Sequence, residues 1–109
     1  MSDDSNIISL IEKDIFSFSE VSRFPGVGFT GNIQNMLVSH SPNPGIKVSE
    51  EDGELVVSCE IIVYFGVNIP QLCYDIQTRI KSDIEGTTGM PVKAVNIRVE
   101  GIDKAPEHS

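Results

Sequence analysis

Ile7, Ile8, Ile11, Ile15 and Phe18 recur at the three-and-four spacing of one helix face. They predict a first helix of about four turns, opened by Asp3, Asp4 and Ser5, whose short acidic and hydroxyl side chains suit a helix start. The Ser-rich second half, Phe16 to Phe24, is expected to fray, and Pro25-Gly26 ends it. A shorter helical stretch is expected around Ile33 to Val38, before a Pro/Asn loop over Ser39 to Gly45. The period then switches to two. Ile46 to Ser49 alternates, Glu50-Glu51-Asp52-Gly53 turns the chain, and Glu54 to Phe65 returns as a long strand. Leu55, Val57, Cys59, Ile61 and Val63 share one face of that strand, and Val56, Ser58, Glu60, Ile62 and Tyr64 share the other.

Helical periodicity resumes with Pro70 in the first turn and Asn68 just upstream. Ile69, Leu72, Cys73, Ile76, Ile80 and Ile84 form its apolar stripe, and Gly86 and Gly89 close it. Asp75 and Arg79 are spaced for an ion pair on its outer side. Asp83 falls near the stripe's edge, close enough to the helix end to reach water. The last strand, Val92 to Gly101, turns Val95, Ile97 and Val99 inward and Asn96, Arg98 and Glu100 outward. The order αββαβ describes an α+β two-layer sandwich. A three-stranded mixed sheet carries its helices mainly on one face, with a right-handed crossover between the last two strands. Residues 1–5 and 103–109 are expected to be mobile tails of a single domain spanning 1–109.

Composition narrows the possible functions. Eight Lys and Arg against sixteen Asp and Glu leave a net charge of −8, which repels phosphate backbones and anionic membrane surfaces. The acidic opening Met1-Ser-Asp-Asp-Ser lacks the basic start of a secretory signal. The longest apolar run, Ile61 to Phe65, fits a strand rather than a membrane span. These features predict a cytoplasmic protein with no direct membrane insertion. Cys59 and Cys73, outside any C-x-x-C pair, read as reduced small hydrophobes.

Little of the sequence suggests chemistry. His40 and His108 lie outside any Ser/His/Asp or Cys/His pattern. The run Glu50 to Glu54 lacks the alternating spacing of a calcium loop and reads as a solvated turn. No catalytic residue, metal site or cofactor is expected, and a small enzyme or metabolite sensor would need a pocket that the residues do not announce. Gly28-Phe29-Thr30-Gly31 has the G-x-x-G form with which a KH domain clamps nucleotides, but its middle residues are not basic. A KH-like RNA-binding domain using Gly28 to Gly31 is therefore the alternative reading. The leading candidate is the open sheet face, with Ile62 and Tyr64 at its centre and Asn96 and Arg98 beside them. An apolar patch on a polar face marks a contact surface, and Tyr combines area with a polar tip.

The second half of the chain resembles the alkaline shock protein family of envelope stress response proteins. The resemblance rests on Val63-Tyr64-Phe65-Gly66-Val67-Asn68-Ile69-Pro70, then Ile76-Gln77, Ile80, Ile84-Glu85 and Thr88-Gly89. It ends with Val92 and Val95-Asn96-Ile97-Arg98-Val99-Glu100-Gly101-Ile102. Pro25-Gly26-Val27 and Gly45-Ile46-Lys47-Val48 match the first half more loosely, and Ser17, Ser19, Glu20, Ser22 and Arg23 depart from the family's alanine-rich first helix. The resemblance implies an abundant, non-enzymatic cytoplasmic protein of Gram-positive-type bacteria linked to cell-envelope stress. It implies self-association into a homo-oligomer and docking on a membrane-anchored or metabolic protein, hence a peripheral membrane location through that partner. No nucleic-acid partner is implied.

Overall fold

The computed structural model describes residues 3–25 and 45–105. Gly28 to Gly31, the helix expected at 33–38, His40 and His108 lie outside the described residues. The elements run α1 (Asp3–Phe16), β1 (Val21–Arg23), β2 (Ile46–Glu51), β3 (Glu54–Tyr64), α2 (Ile69–Thr88) and β4 (Val92–Asp103). The order is thus αβββαβ, with one strand more than the sequence pattern suggested.

β3 is the centre of the sheet. β2 pairs antiparallel with its first half, from Glu51 opposite Glu54 to Ile46 opposite Cys59. β1 pairs antiparallel with its end, Val21 opposite Val63 and Arg23 opposite Ile62. β4 runs parallel along the other edge, from Val92 opposite Leu55 to Asp103 opposite Tyr64. The sheet is therefore mixed, and α2 is the crossover that a parallel pair requires.

Local chemistry accounts for most boundaries. The hairpin between β2 and β3 turns on Asp52 (φ 54°) and Gly53 (φ 81°), the paired positive values of a tight two-residue hairpin turn. The turn is shorter than the expected Glu50 to Gly53, because Glu50 and Glu51 pair across the hairpin as strand. Asn68 caps α2, its Oδ1 accepting from the Gln71 N–H at 3.1 Å. Gly89, in the left-handed region at φ 78°, ends the helix while its own N–H donates to the Glu85 carbonyl. At 20 residues α2 is about 30 Å long, enough to run back along the sheet.

Both helices cover one face, α1 against α2 and β2, and α2 against β4. Ile7, Ile8, Ile11 and Ile15 of α1 join Leu72, Ile76, Ile80 and Ile84 of α2 over Leu55, Val57, Cys59, Ile61 and Val63. Cys59 is fully enclosed and burial pushes its thiol up to about 12, while Cys73 is half-buried; both are free.

The first helix has the expected length of about four turns but does not run on toward Pro25. It stops at Phe16, where the Ser17 hydroxyl and N–H both donate to the Asp14 carbonyl. The stretch expected to be fraying helix instead becomes a turn and then β1, with Phe24 buried edge-on to Phe16 at 5.2 Å between ring centres. Hydroxyl side chains compete for backbone groups, and β1 gains the otherwise unpaired edge of β3. Residues 3–5 form the first turn of α1, and β4 continues through Asp103.

Ile76 faces the middle of this layer and is fully buried. Ile76→Ala is expected to lower unfolding stability by about 2–5 kcal/mol, read from urea denaturation. A loss below ~1 kcal/mol would mean that α2 is not packed as described.

Candidate interaction surface

The face of the sheet away from the helices carries Val56, Ser58, Glu60, Ile62 and Tyr64 from β3, flanked by Lys47 and Ser49 of β2 and by Ala94, Asn96 and Arg98 of β4. All four predicted residues lie on this face, but they do not come together. Asn96 stands opposite Ser58 and Arg98 opposite Glu60. The positions beside Ile62 and Tyr64 belong to Gly101 and Asp103. The cause is register: β4 starts level with Leu55, so its fifth and seventh residues, Asn96 and Arg98, reach only the middle of β3, and a bulge at Glu100 resets the pairing beyond. Asn96 and Arg98 are exposed, and the Arg98 guanidinium pairs with Glu100 of its own strand at 2.6 Å.

Ile62 is not the exposed centre that the sequence suggested. It is only 8% exposed, while Tyr64 is half-buried. The Ile62 side chain lies across Gly101, 3.7–4.0 Å from where a Cβ on that residue would stand. A clasp also crosses the strand here. Arg23 Nε and Nη2 donate to the Asp103 carboxylate at 3.0 and 3.3 Å, and the Ser22 hydroxyl donates to it at 2.6 Å. Because β1 and β4 occupy opposite edges of β3, this contact ties both edges together over the Ile62–Tyr64 end. Tyr64 N–H donates to the Glu20 carbonyl at 3.0 Å, so the segment before β1 closes the same end from below in sequence.

The apolar surface is found at the strand ends instead. Phe65 is 75% exposed and Ile102 is 55% exposed. They are neighbours, since the Phe65 N–H donates to the Asp103 carbonyl at 2.8 Å. Together with Asp103, Lys104 and Ala105 they line a shallow open depression. The run Ile62 to Phe65, apolar on both faces, already carried the signal for Phe65; nothing local marked Ile102, whose inward-facing neighbours are covered.

The sequence reading also missed a charged cluster between the helices. Asp14 of α1 is 3% exposed, and its Oδ2 has no hydrogen-bond partner. Arg79 Nε lies 3.8 Å from Asp14 and 3.5 Å from Asp83. The expected Asp75–Arg79 pair does not form, because Arg79 turns to these two carboxyls and Asp75 accepts from Gln71 Nε2. Burial, with Asp83 adding to it, raises the Asp14 carboxyl to about 7.

Residues 6–104 match the alkaline shock protein 23 family, described by a cell envelope-related function. The chain belongs to that family. The match includes every described strand, so the family pattern covers both the clasp and the exposed rim. Among curated proteins, the chain is 33% identical over 58 residues to the uncharacterized protein YloU of Bacillus subtilis, covering 53% of this chain and 48% of that one. It is 36% identical over 61 residues to the uncharacterized protein Spy1535 of Streptococcus pyogenes, covering 54% and 47%. With a further Streptococcus pyogenes protein, Spy1614, it shares 27% over 77 residues, covering 71% and 64%. The chain spans about half the length of the first two of these relatives. No solved structure matches it. Among the described residues, no helix is long and apolar enough to cross a membrane.

The clasp supplies a test. Arg23 first, and Ser22 after it, hold the Asp103 carboxyl below its usual range. A lowered acid stabilises the fold above its unfolded pKa and loses that contribution as pH falls through the folded value. Asp103→Ala should therefore release β1 at neutral pH and speed amide exchange at Tyr64 several-fold, with β2 pairing unaffected. Unchanged exchange at Tyr64 in a folded variant would mean that other contacts hold β1.

Proposed function

We propose that this domain is a non-enzymatic docking module of the cell envelope response, which self-associates and binds a membrane-anchored or metabolic protein through the C-terminal end of its sheet. One observation carries the reading: Phe65 and Ile102, two large apolar side chains, stand side by side and exposed where β3 and β4 end. Large aromatic and aliphatic anchors of this kind supply most of the binding energy in protein interfaces. Tyr64, half-buried next to them, extends the patch with an apolar ring and a polar tip. Asn96 and Arg98 lie farther along the open face, where exposed polar groups tune specificity more than affinity.

The family's cell envelope-related description supports the setting. The net charge of −8 supports a protein partner over an anionic lipid surface or a nucleic acid. The domain would then reach the membrane through its partner and otherwise stay in the cytoplasm, needing no cofactor.

Tyr64→Glu and Phe65→Glu should each leave the circular dichroism spectrum and melting temperature near wild type, because both side chains are at least partly in water. Each should weaken self-association at least ~10-fold, the effect of losing about 1.4 kcal/mol from an interface anchor, read by sedimentation equilibrium. Folded variants that associate as the wild type does would remove this end of the sheet from consideration.

A further inference from the structure

Asp14 occupies an unusual place for a carboxyl. It projects from the last turn of α1 into the seam with α2, and it is buried there among the isoleucines that join the two helices. Three features of that place oppose a negative charge. Burial removes water from it. The end of α1 presents carbonyl groups and the negative pole of the helix dipole. Asp83 faces it from α2, and Arg79, itself half-exposed, is shared between the two carboxyls.

The charged groups around Asp14 can be stated element by element. From α2 they are Arg79 and Asp83, and from α1 itself Lys13. β2, the other element beneath α1, turns Ile46 and Val48 toward the helices and, out at the solvent-exposed hairpin end, Glu50. One guanidinium thus faces two carboxyls across the seam. With both carboxyls ionised, Asp14 Oδ2 is a buried acceptor that has no donor. With a proton on Asp14, its carboxyl can donate to Asp83, and Arg79 balances the single remaining charge. The protonated arrangement therefore relieves the repulsion between the two carboxyls that the ionised one carries.

We propose that the α1–α2 seam is a proton-operated latch, in which α1 is held against α2 while Asp14 carries a proton to Asp83 and loosens when that proton leaves. The groups released are Ile7, Ile8, Ile11 and Ile15 on α1 and the part of the sheet beneath them, chiefly Ile46 and Val48 of β2. The remainder of the core, α2 over β3 and β4, contains no comparable buried charge among the described residues. The loosening is therefore confined to α1.

The sign follows from linkage. Asp14 is raised from 3.8 to about 7 in the folded protein. A raised acid contributes stability that is full at low pH and is lost as pH climbs from the unfolded value to the folded one. The loss therefore runs up to neutrality and is complete above it, so that pH 6 and pH 8.5 bracket its last part.

The test is amide hydrogen exchange on the full chain, corrected for the intrinsic effect of pH, at pH 6 and pH 8.5. Protection of α1 amides should fall about tenfold between the two, while protection in α2 and β3 stays within about twofold. Asp14→Asn keeps the shape and removes the titration, so its α1 protection should not change with pH. Asp83→Asn removes the opposing carboxyl and should shrink the change, which guards against misfolding of the first variant. Equal protection of wild-type α1 at both pH values would overturn the latch. So would an equal loss across α1 and β3, or an undiminished loss in both variants.

Discussion

The structure depends on one constraint: β3 must be paired along both edges and buried on one face. Its inward side chains, Leu55 to Val63, are the floor on which both helices lie. Its outer edge is taken by β4 in the parallel sense, and a parallel neighbour can be reached only by a long crossover. α2 meets that need with a length close to that of the strands it spans. The opposite edge is shared end to end by β2 and β1. β1 has only three residues, yet it completes the edge at the point where β3 would otherwise present unpaired backbone groups beside its apolar end.

Those same requirements decide which side chains reach the surface. β3 and β4 finish together, and the chain leaves β3 through Gly66, at φ 94°, before α2 begins at Ile69. Phe65 therefore stands at a corner where neither helix covers it. Ile102 belongs by alternation to the helix-covered face, opposite buried Val63, but lies so near the strand end that it too reaches solvent. Ile62, on the open face, has the reverse fate: Gly101 leaves room for it and the Arg23–Asp103 clasp crosses its strand. Exposure here follows position along β3 more than it follows the face of the sheet.

What could be read from the sequence was what local signals encode. α2 was legible because its cap, first-turn proline, apolar stripe and closing glycine lie within about twenty residues of one another. The β2–β3 hairpin was legible because Asp52-Gly53 sits between alternating runs. β1 was not, since three residues carry no usable period and its partner lies about forty positions away. The distance between Asn96 and Tyr64 was hidden for a related reason: alternation gives a residue's face but not its register against a partner strand. Asp14 had a visible signal that went unused. It stands three residues after Ile11 and seven after Ile7, within the apolar stripe of α1, where a carboxyl requires an explanation.

The two charged clusters act in opposite directions on the segment containing α1 and β1. Asp103 is solvated and paired with a cation, so its charge is favoured and the clasp holds β1 except in acid. Asp14 is buried against another carboxyl, so its charge is disfavoured and its contact weakens as protons are withdrawn. Between them runs the short turn from Ser17 to Glu20, bonded at both ends: Ser17 to Asp14 on one side, and the Glu20 carbonyl to Tyr64 on the other. A loosened α1 would therefore stay tethered by β1 to the end of β3. Phe16, half-exposed and in edge contact with buried Phe24, marks where the movable helix meets that fixed strand. Such loosening would leave the sheet intact, because the contact that weakens and the contact that persists above neutral pH lie on opposite sides of one four-residue turn.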